Sequence, residues 1–74
     1  MLLKPIKADI DTQMRLIKPG YMDMSLEQQK STLSIATELP KEMIQAWFDA
    51  LQNVENQEHM ITSIKIGHEI RNKL

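Results

Sequence analysis

A chain of 74 residues without cysteine forms one small domain at most and holds neither a disulfide nor a thiolate metal site. Its apolar fraction of 42% and charged fraction of 26% are those of a folded protein and not of a disordered one. No apolar run is long enough for a signal peptide or a membrane span, so we expect a cytoplasmic protein without membrane contact.

The formal net charge of −1 conceals an uneven distribution. Residues 1–20 carry a net charge of +2, residues 21–58 carry −5, and residues 59–74 carry +2. Proteins that bind nucleic acid usually concentrate basic residues on the contacting element. The acidic middle of the chain therefore disfavours DNA contact there and leaves only the two ends as candidates.

The first predicted helix runs from about Ala8 to Ile17. Ile10, Met14 and Ile17 recur at the spacing of one helical face. Pro19 and Gly20 end this helix, because a residue before proline is pushed out of helical geometry.

The second predicted helix runs from about Leu26 to Glu38. Ser25 and Gln28 form the sequence pattern of a capping box, which favours a helix start at this point. Its apolar positions predict one narrow buried edge, made of Leu26, Leu33, Ile35 and Ala36.

The third predicted helix follows Pro40, which suits a first helical turn because its missing N–H is not needed there. Its wide apolar face includes the only Trp and the only Phe of the chain and consists of Met43, Ile44, Trp47, Phe48 and Leu51. Large aromatic side chains anchor cores and interfaces, so we expect the molecule to be organised around this helix.

The fourth predicted helix runs from about Gln57 to Lys73. Its apolar positions form a continuous stripe of Met60, Ile64, Gly67, Ile70 and Leu74. The β-branched residues between 61 and 66 leave a strand as the alternative. We prefer the helix because the stripe continues beyond that run and no second strand is predicted to pair with it. The whole chain thus predicts a single all-α domain over residues 1–74, a compact bundle of three to four short helices.

The sequence provides little catalytic chemistry. His59 and Ser63 are the one pair of a histidine and a hydroxyl four residues apart, and no nucleophile elbow or glycine-rich phosphate loop accompanies them. His59 and His68 are nine residues apart, which places them on opposite sides of one helix. We therefore expect no enzyme activity, no cofactor and no metal.

The segment Leu33–Trp47 resembles the helix-turn-helix of bacterial and phage transcription regulators. The matching positions are the first-helix residues, the residue after the turn and the two second-helix anchors, namely Leu33, Ser34, Leu39, Ile44 and Trp47. Glu38 stands where that family favours a glycine in left-handed conformation, and Thr37 stands where it buries an apolar residue.

This resemblance implies a helix-turn-helix-like pair in the middle of the bundle. The outward residues of the second helix are two carboxylates, one lysine and two amides: Lys41, Glu42, Gln45, Asp49 and Gln52. A helix that enters the major groove needs positive charge around it to neutralise phosphates. We therefore expect the resemblance to concern the fold and not the reading of DNA.

Three functions remain open at this point. The first is a small regulatory protein that binds another protein, or a second copy of itself, through Met43, Trp47, Phe48 and Leu51. The second is a dimeric DNA-binding regulator that contacts DNA through Lys65, His68, Arg71 and Lys73. The third is a structural helical subunit that self-associates through the stripe of the fourth helix.

Overall fold

A computed structural model describes the backbone of residues 4–74 and the surroundings of side chains from Lys7 onward. Within residues 4–74 the chain forms four α-helices and one 3-10 turn. The elements are α1 (Lys4–Ile17), the 3-10 turn (Tyr21–Asp23), α2 (Leu26–Thr37), α3 (Lys41–Leu51) and α4 (Gln57–Lys73). The predicted all-α fold is confirmed, and residues 61–66 are helical within α4, so the preference for a helix over a strand there is also confirmed.

The first helix starts one turn earlier than the sequence predicts. α1 begins at Lys4, and Pro5 occupies its first turn, where a proline needs no hydrogen-bonded N–H. At the other end, Gly20 has a φ of 91°, a left-handed conformation that suits glycine. The predicted capping box of α2 is present, because Ser25 and Gln28 exchange side-chain and backbone hydrogen bonds.

The junction between α2 and α3 depends on a single left-handed residue. Glu38 has a φ of 61°, and its N–H donates to the Ser34 carbonyl at 2.8 Å. Glu38 is therefore the cap of α2 and not its last helical residue. Pro40 likewise precedes the helix as the N-terminal cap of α3, one position before the first turn in which the sequence places it.

The core lies between α3 and the other helices. α3 packs mainly against α4, α1 also packs on α4, and α2 packs on α3. The buried hydrophobic cluster comprises Ile10, Met14, Tyr21, Leu33, Ile44, Trp47, Phe48 and Ile70. Trp47 and Phe48 meet edge to face with ring centroids 5.4 Å apart, a favoured arrangement of aromatic pairs.

The predicted buried edge of α2 is wrong in part. Leu26 and Ile35 are 53% and 79% exposed, whereas Leu33 is buried as expected. The residues of α2 that are buried are mostly polar: Gln29, Lys30, Leu33 and Thr37. The edge that packs against the core is therefore rotated away from the one that apolar residues alone indicate.

Each of these buried polar side chains has a hydrogen-bond partner. The Gln29 amide donates to the Tyr21 carbonyl at 3.0 Å, and the Thr37 hydroxyl donates to the Leu33 carbonyl at 2.6 Å. Because each of these buried groups keeps a hydrogen bond, its burial costs the folded protein little stability.

Lys30 links α2 to α3. Its ammonium group donates to the Gln45 side-chain oxygen at 2.9 Å, pairs with Glu27 at 3.2 Å, and lies 5.7 Å from the centre of the Phe48 ring. The aliphatic part of a lysine packs well against apolar surface while the charged end finds polar partners. Lys30 therefore behaves as a core residue of this helix pair.

Candidate functional site

A groove opens where α1, the end of α3 and the start of α4 meet. Its volume is about 650 Å³. The lining residues come from α1, the end of α3, the turn between α3 and α4, and the first half of α4: Lys7, Ala8, Asp11, Leu51, Val54, Glu55, Met60 and Ser63. A second cleft of about 310 Å³ lies along α2 and is lined largely by polar side chains.

The floor of the groove is apolar. Leu51 and Met60 are half-buried, and Leu51 packs against the core. Val54 is 45% exposed, so a large part of its apolar side chain is open to solvent. The Ser63 hydroxyl donates to the Met60 carbonyl at 2.8 Å, so this polar group of the lining already has a partner.

The turn that carries Val54 and Glu55 is held at both ends. Asn53 donates its N–H to the Ala50 carbonyl at 3.1 Å, which closes the end of α3. The Asn56 side chain accepts from the backbone of Glu58 at 2.9 Å and so caps α4. The groove is therefore built on the ends of two helices and has a defined shape.

The charge of the groove is negative. Lys7 and Asp11, one helical turn apart on α1, form an ion pair and neutralise each other. Among residues 7–74, the Glu55 carboxylate has no ion-pair partner, and it is exposed. The C-terminal end of α3 and the N-terminal end of α4 both lie here, and their opposite partial charges offset each other, so the Glu55 carboxylate gives the groove its net charge. A cation near Glu55 is therefore favoured.

Tyr21 is a buried residue close to the Asp11 carboxylate of the groove. The Tyr21 side chain is 1% exposed. Burial raises the pKa of its phenol far above the ordinary value, and the nearby Asp11 carboxylate raises it further. The phenol therefore stays protonated in the folded protein at any physiological pH.

The structure divides the four interface residues predicted from α3 into two groups. Trp47 and Phe48 are 1% and 7% exposed and belong to the core. Met43 and Leu51 are half-buried, and Leu51 lines the groove. An interface role for these four residues stays a prediction. Of the four, Leu51 is the one that is both accessible and part of the groove.

The residues predicted for DNA contact lie on the second half of α4. Lys65, His68 and Lys73 are exposed. Arg71 is paired with Asp9 of α1, so one of the three permanent cations in this set is already neutralised. DNA contact through α4 stays a prediction that depends on the two lysines.

The structure places His59 and Ser63, the base and hydroxyl noted in the sequence, in different surroundings. His59 is exposed at the start of α4, while Ser63 is buried one turn away with its hydroxyl bonded to a backbone carbonyl. Among the described residues, no three His, Asp or Glu side chains gather closely enough to hold a metal ion.

Sequence reasoning identified Leu51 and Met60 as apolar but missed the groove that they share. Val54 and Glu55 precede the predicted fourth helix, and Ala8 stands at the predicted start of the first. Spacing within one helix carries no information on how the ends of three elements meet. The sequence signal that bears on the groove is a valine among polar residues, Val54 between Asn53 and Glu55.

Within the described residues, none of the helices has the length and apolar content needed to cross a membrane. No protein-family model, curated protein sequence or solved structure matches this chain.

Proposed function

We propose that this protein is a non-enzymatic regulator that acts by binding another protein through the groove between α1, α3 and α4. The observation that supports this proposal is an apolar floor of Leu51, Val54 and Met60 that stays open to solvent. A concave and mostly apolar pocket is the default candidate for a binding site on a protein surface. The absence of cysteine from the sequence fits a reducing compartment, and we propose a cytoplasmic location.

The polar groups of the groove favour a protein partner over a small molecule. A small-molecule site usually has several polar groups that converge on the ligand and fix its orientation. Here the Ser63 hydroxyl is bonded to a backbone carbonyl, and Lys7 and Asp11 are bonded to each other. Glu55 remains as the main polar contact, which suits the edge of a protein interface.

The proposal can be tested with a displayed library of random peptides selected on the whole protein. Peptides that bind the groove should lose about tenfold in affinity on Val54→Asn, because burial of a valine side chain contributes about 1.5 kcal/mol. Ile35→Asn is the matched control, since Ile35 is a 79% exposed β-branched residue on α2, outside the groove. Failure to enrich any peptide, or equal binding to all three proteins, would refute the proposal.

The two alternative functions make different predictions. A DNA-binding regulator should bind duplex DNA with an affinity that falls as salt rises and that depends on Lys65 and Lys73. A self-associating subunit should show a mass that increases with concentration. In the structure the second half of the α4 stripe faces the core, since Gly67 and Ile70 are buried and Leu74 packs against the core.

A further inference from the structure

We propose that the segment which binds in the groove is an amphipathic helix with a lysine or arginine at the edge of its apolar face. This inference rests on the proposed function and specifies the chemistry of the partner. It follows from two properties of the described residues: which peptide-binding modes they can support, and where the negative charge lies.

An extended peptide that adds a strand needs the free edge of a sheet. Residues 4–74 contain no strand, so the groove offers no row of backbone groups to an extended peptide. A bound extended peptide would leave its own N–H and C=O groups unpaired wherever it covered the apolar floor. A helix satisfies these groups internally, so it can bury its apolar face without that loss.

A polyproline segment is disfavoured for a different reason. Such segments bind between exposed aromatic side chains. The chain has three aromatic residues, and Tyr21, Trp47 and Phe48 are all buried in the core. The groove floor is instead aliphatic and contains Met60, a flexible side chain that adapts to the apolar face of a helix.

The charge of the partner follows from Glu55. Its carboxylate lies exposed at the rim and has no ion-pair partner among residues 7–74, while the opposite dipole ends of α3 and α4 beside it offset each other. The Lys7–Asp11 pair contributes no net charge. A lysine or arginine placed next to the apolar anchors of the partner would pair with Glu55, whereas a carboxylate there would be repelled.

The peptide library tests this chemistry when it is selected in parallel on the wild-type protein and on Glu55→Lys. Wild-type selections should enrich apolar residues at positions i, i+3 or i+4, and i+7, accompanied by Lys or Arg. Selections on Glu55→Lys should enrich Asp or Glu at the same place. Glu69→Lys is the control, because it changes the net charge equally at an exposed site in the second half of α4.

A selected peptide with lysine should bind Glu55→Lys about three- to tenfold more weakly than wild type at low salt, and Glu69→Lys equally well. Replacing the peptide lysine by glutamate should restore binding to Glu55→Lys. Circular dichroism should show that the peptide gains helicity when it binds.

Three results would overturn the inference. The first is enrichment without helical spacing, and the second is a set of peptides that bind wild type and Glu55→Lys equally. If Val54→Asn still weakens those peptides, the groove binds proteins but the assigned partner chemistry is wrong. The third is self-association that is lost in Val54→Asn, because a second copy of the chain would then occupy the groove in place of another protein.

Discussion

The left-handed conformation of Glu38 predicts that replacing this residue with glycine stabilises the protein. An L-residue in this region costs about 1–2 kcal/mol, because its Cβ crowds the backbone. Glycine avoids that cost but loses more conformational freedom on folding, by about 0.5–1 kcal/mol. The net gain expected from relief of backbone strain is therefore about 0.5–1 kcal/mol.

A second contribution must be separated from the first. Glu38 also places a negative charge at the C-terminal end of α2, where the helix dipole disfavours it by about 0.3–1 kcal/mol. Glu38→Gln removes the charge and keeps the side chain in the left-handed conformation. The difference between Glu38→Gly and Glu38→Gln therefore measures the net backbone effect, which is the relief of strain less the conformational cost of glycine.

The assay is urea unfolding followed by the fluorescence of Trp47. Glu38→Gly should raise the midpoint without a change of slope and should exceed Glu38→Gln by about 0.5–1 kcal/mol, or about 2–8 °C in the thermal midpoint. Glu69→Gly is the matched control and should destabilise the protein by about 1 kcal/mol, because Glu69 lies exposed inside α4. Equal stability of Glu38→Gly and Glu38→Gln would refute the reasoning.

Two further predictions concern the core. Trp47→Ala should destabilise the fold by about 3–5 kcal/mol, and wild-type Trp47 should emit at short wavelength and resist aqueous quenchers; the emission of a water-exposed indole in the folded protein would contradict its placement. Tyr21 should lower stability at high pH: since its pKa is raised by folding, its contribution is complete below pH of about 10 and is lost as pH rises further. Absorbance of the single tyrosine should show ionisation only together with unfolding. Tyr21→Phe should lose less stability than wild type over this pH range. A phenol that ionises near pH 10 in the intact fold would refute the prediction.

The outcomes for α4 and α1 both depend on features within one helix. The predicted bounds of α4 are confirmed, because its apolar stripe runs the length of the helix, and the structure shows that the Asn56 side chain caps its start. α1 begins earlier than its apolar spacing indicates, since Pro5 in a first turn neither adds to nor interrupts that spacing. Both results follow from interactions within one helix, which are the interactions that a sequence displays directly.

The buried face of α2 could not be predicted in the same way. Gln29 and Lys30 are buried because their partners lie on other elements, the Tyr21 carbonyl on the 3-10 turn and Gln45 on α3. Nothing in the spacing of α2 identifies those partners. Ile35 is exposed for the complementary reason, since it points away from the helices that Lys30 faces. Long-range pairing here overrides the apolar pattern.

The position of the aromatic residues also limits how strongly the groove can bind. Interface residues that contribute most to affinity are commonly Trp, Tyr or Arg. In this chain Trp47, Tyr21 and Phe48 are used to build the core, so the floor of the groove depends on aliphatic side chains and one methionine. Such a surface is expected to bind weakly and reversibly, and the rim charge of Glu55 then contributes a larger share of the selectivity. Because the aromatic residues are buried in the core, apolar contact in the groove discriminates little between partners. The charge of Glu55 is then what selects one partner over another.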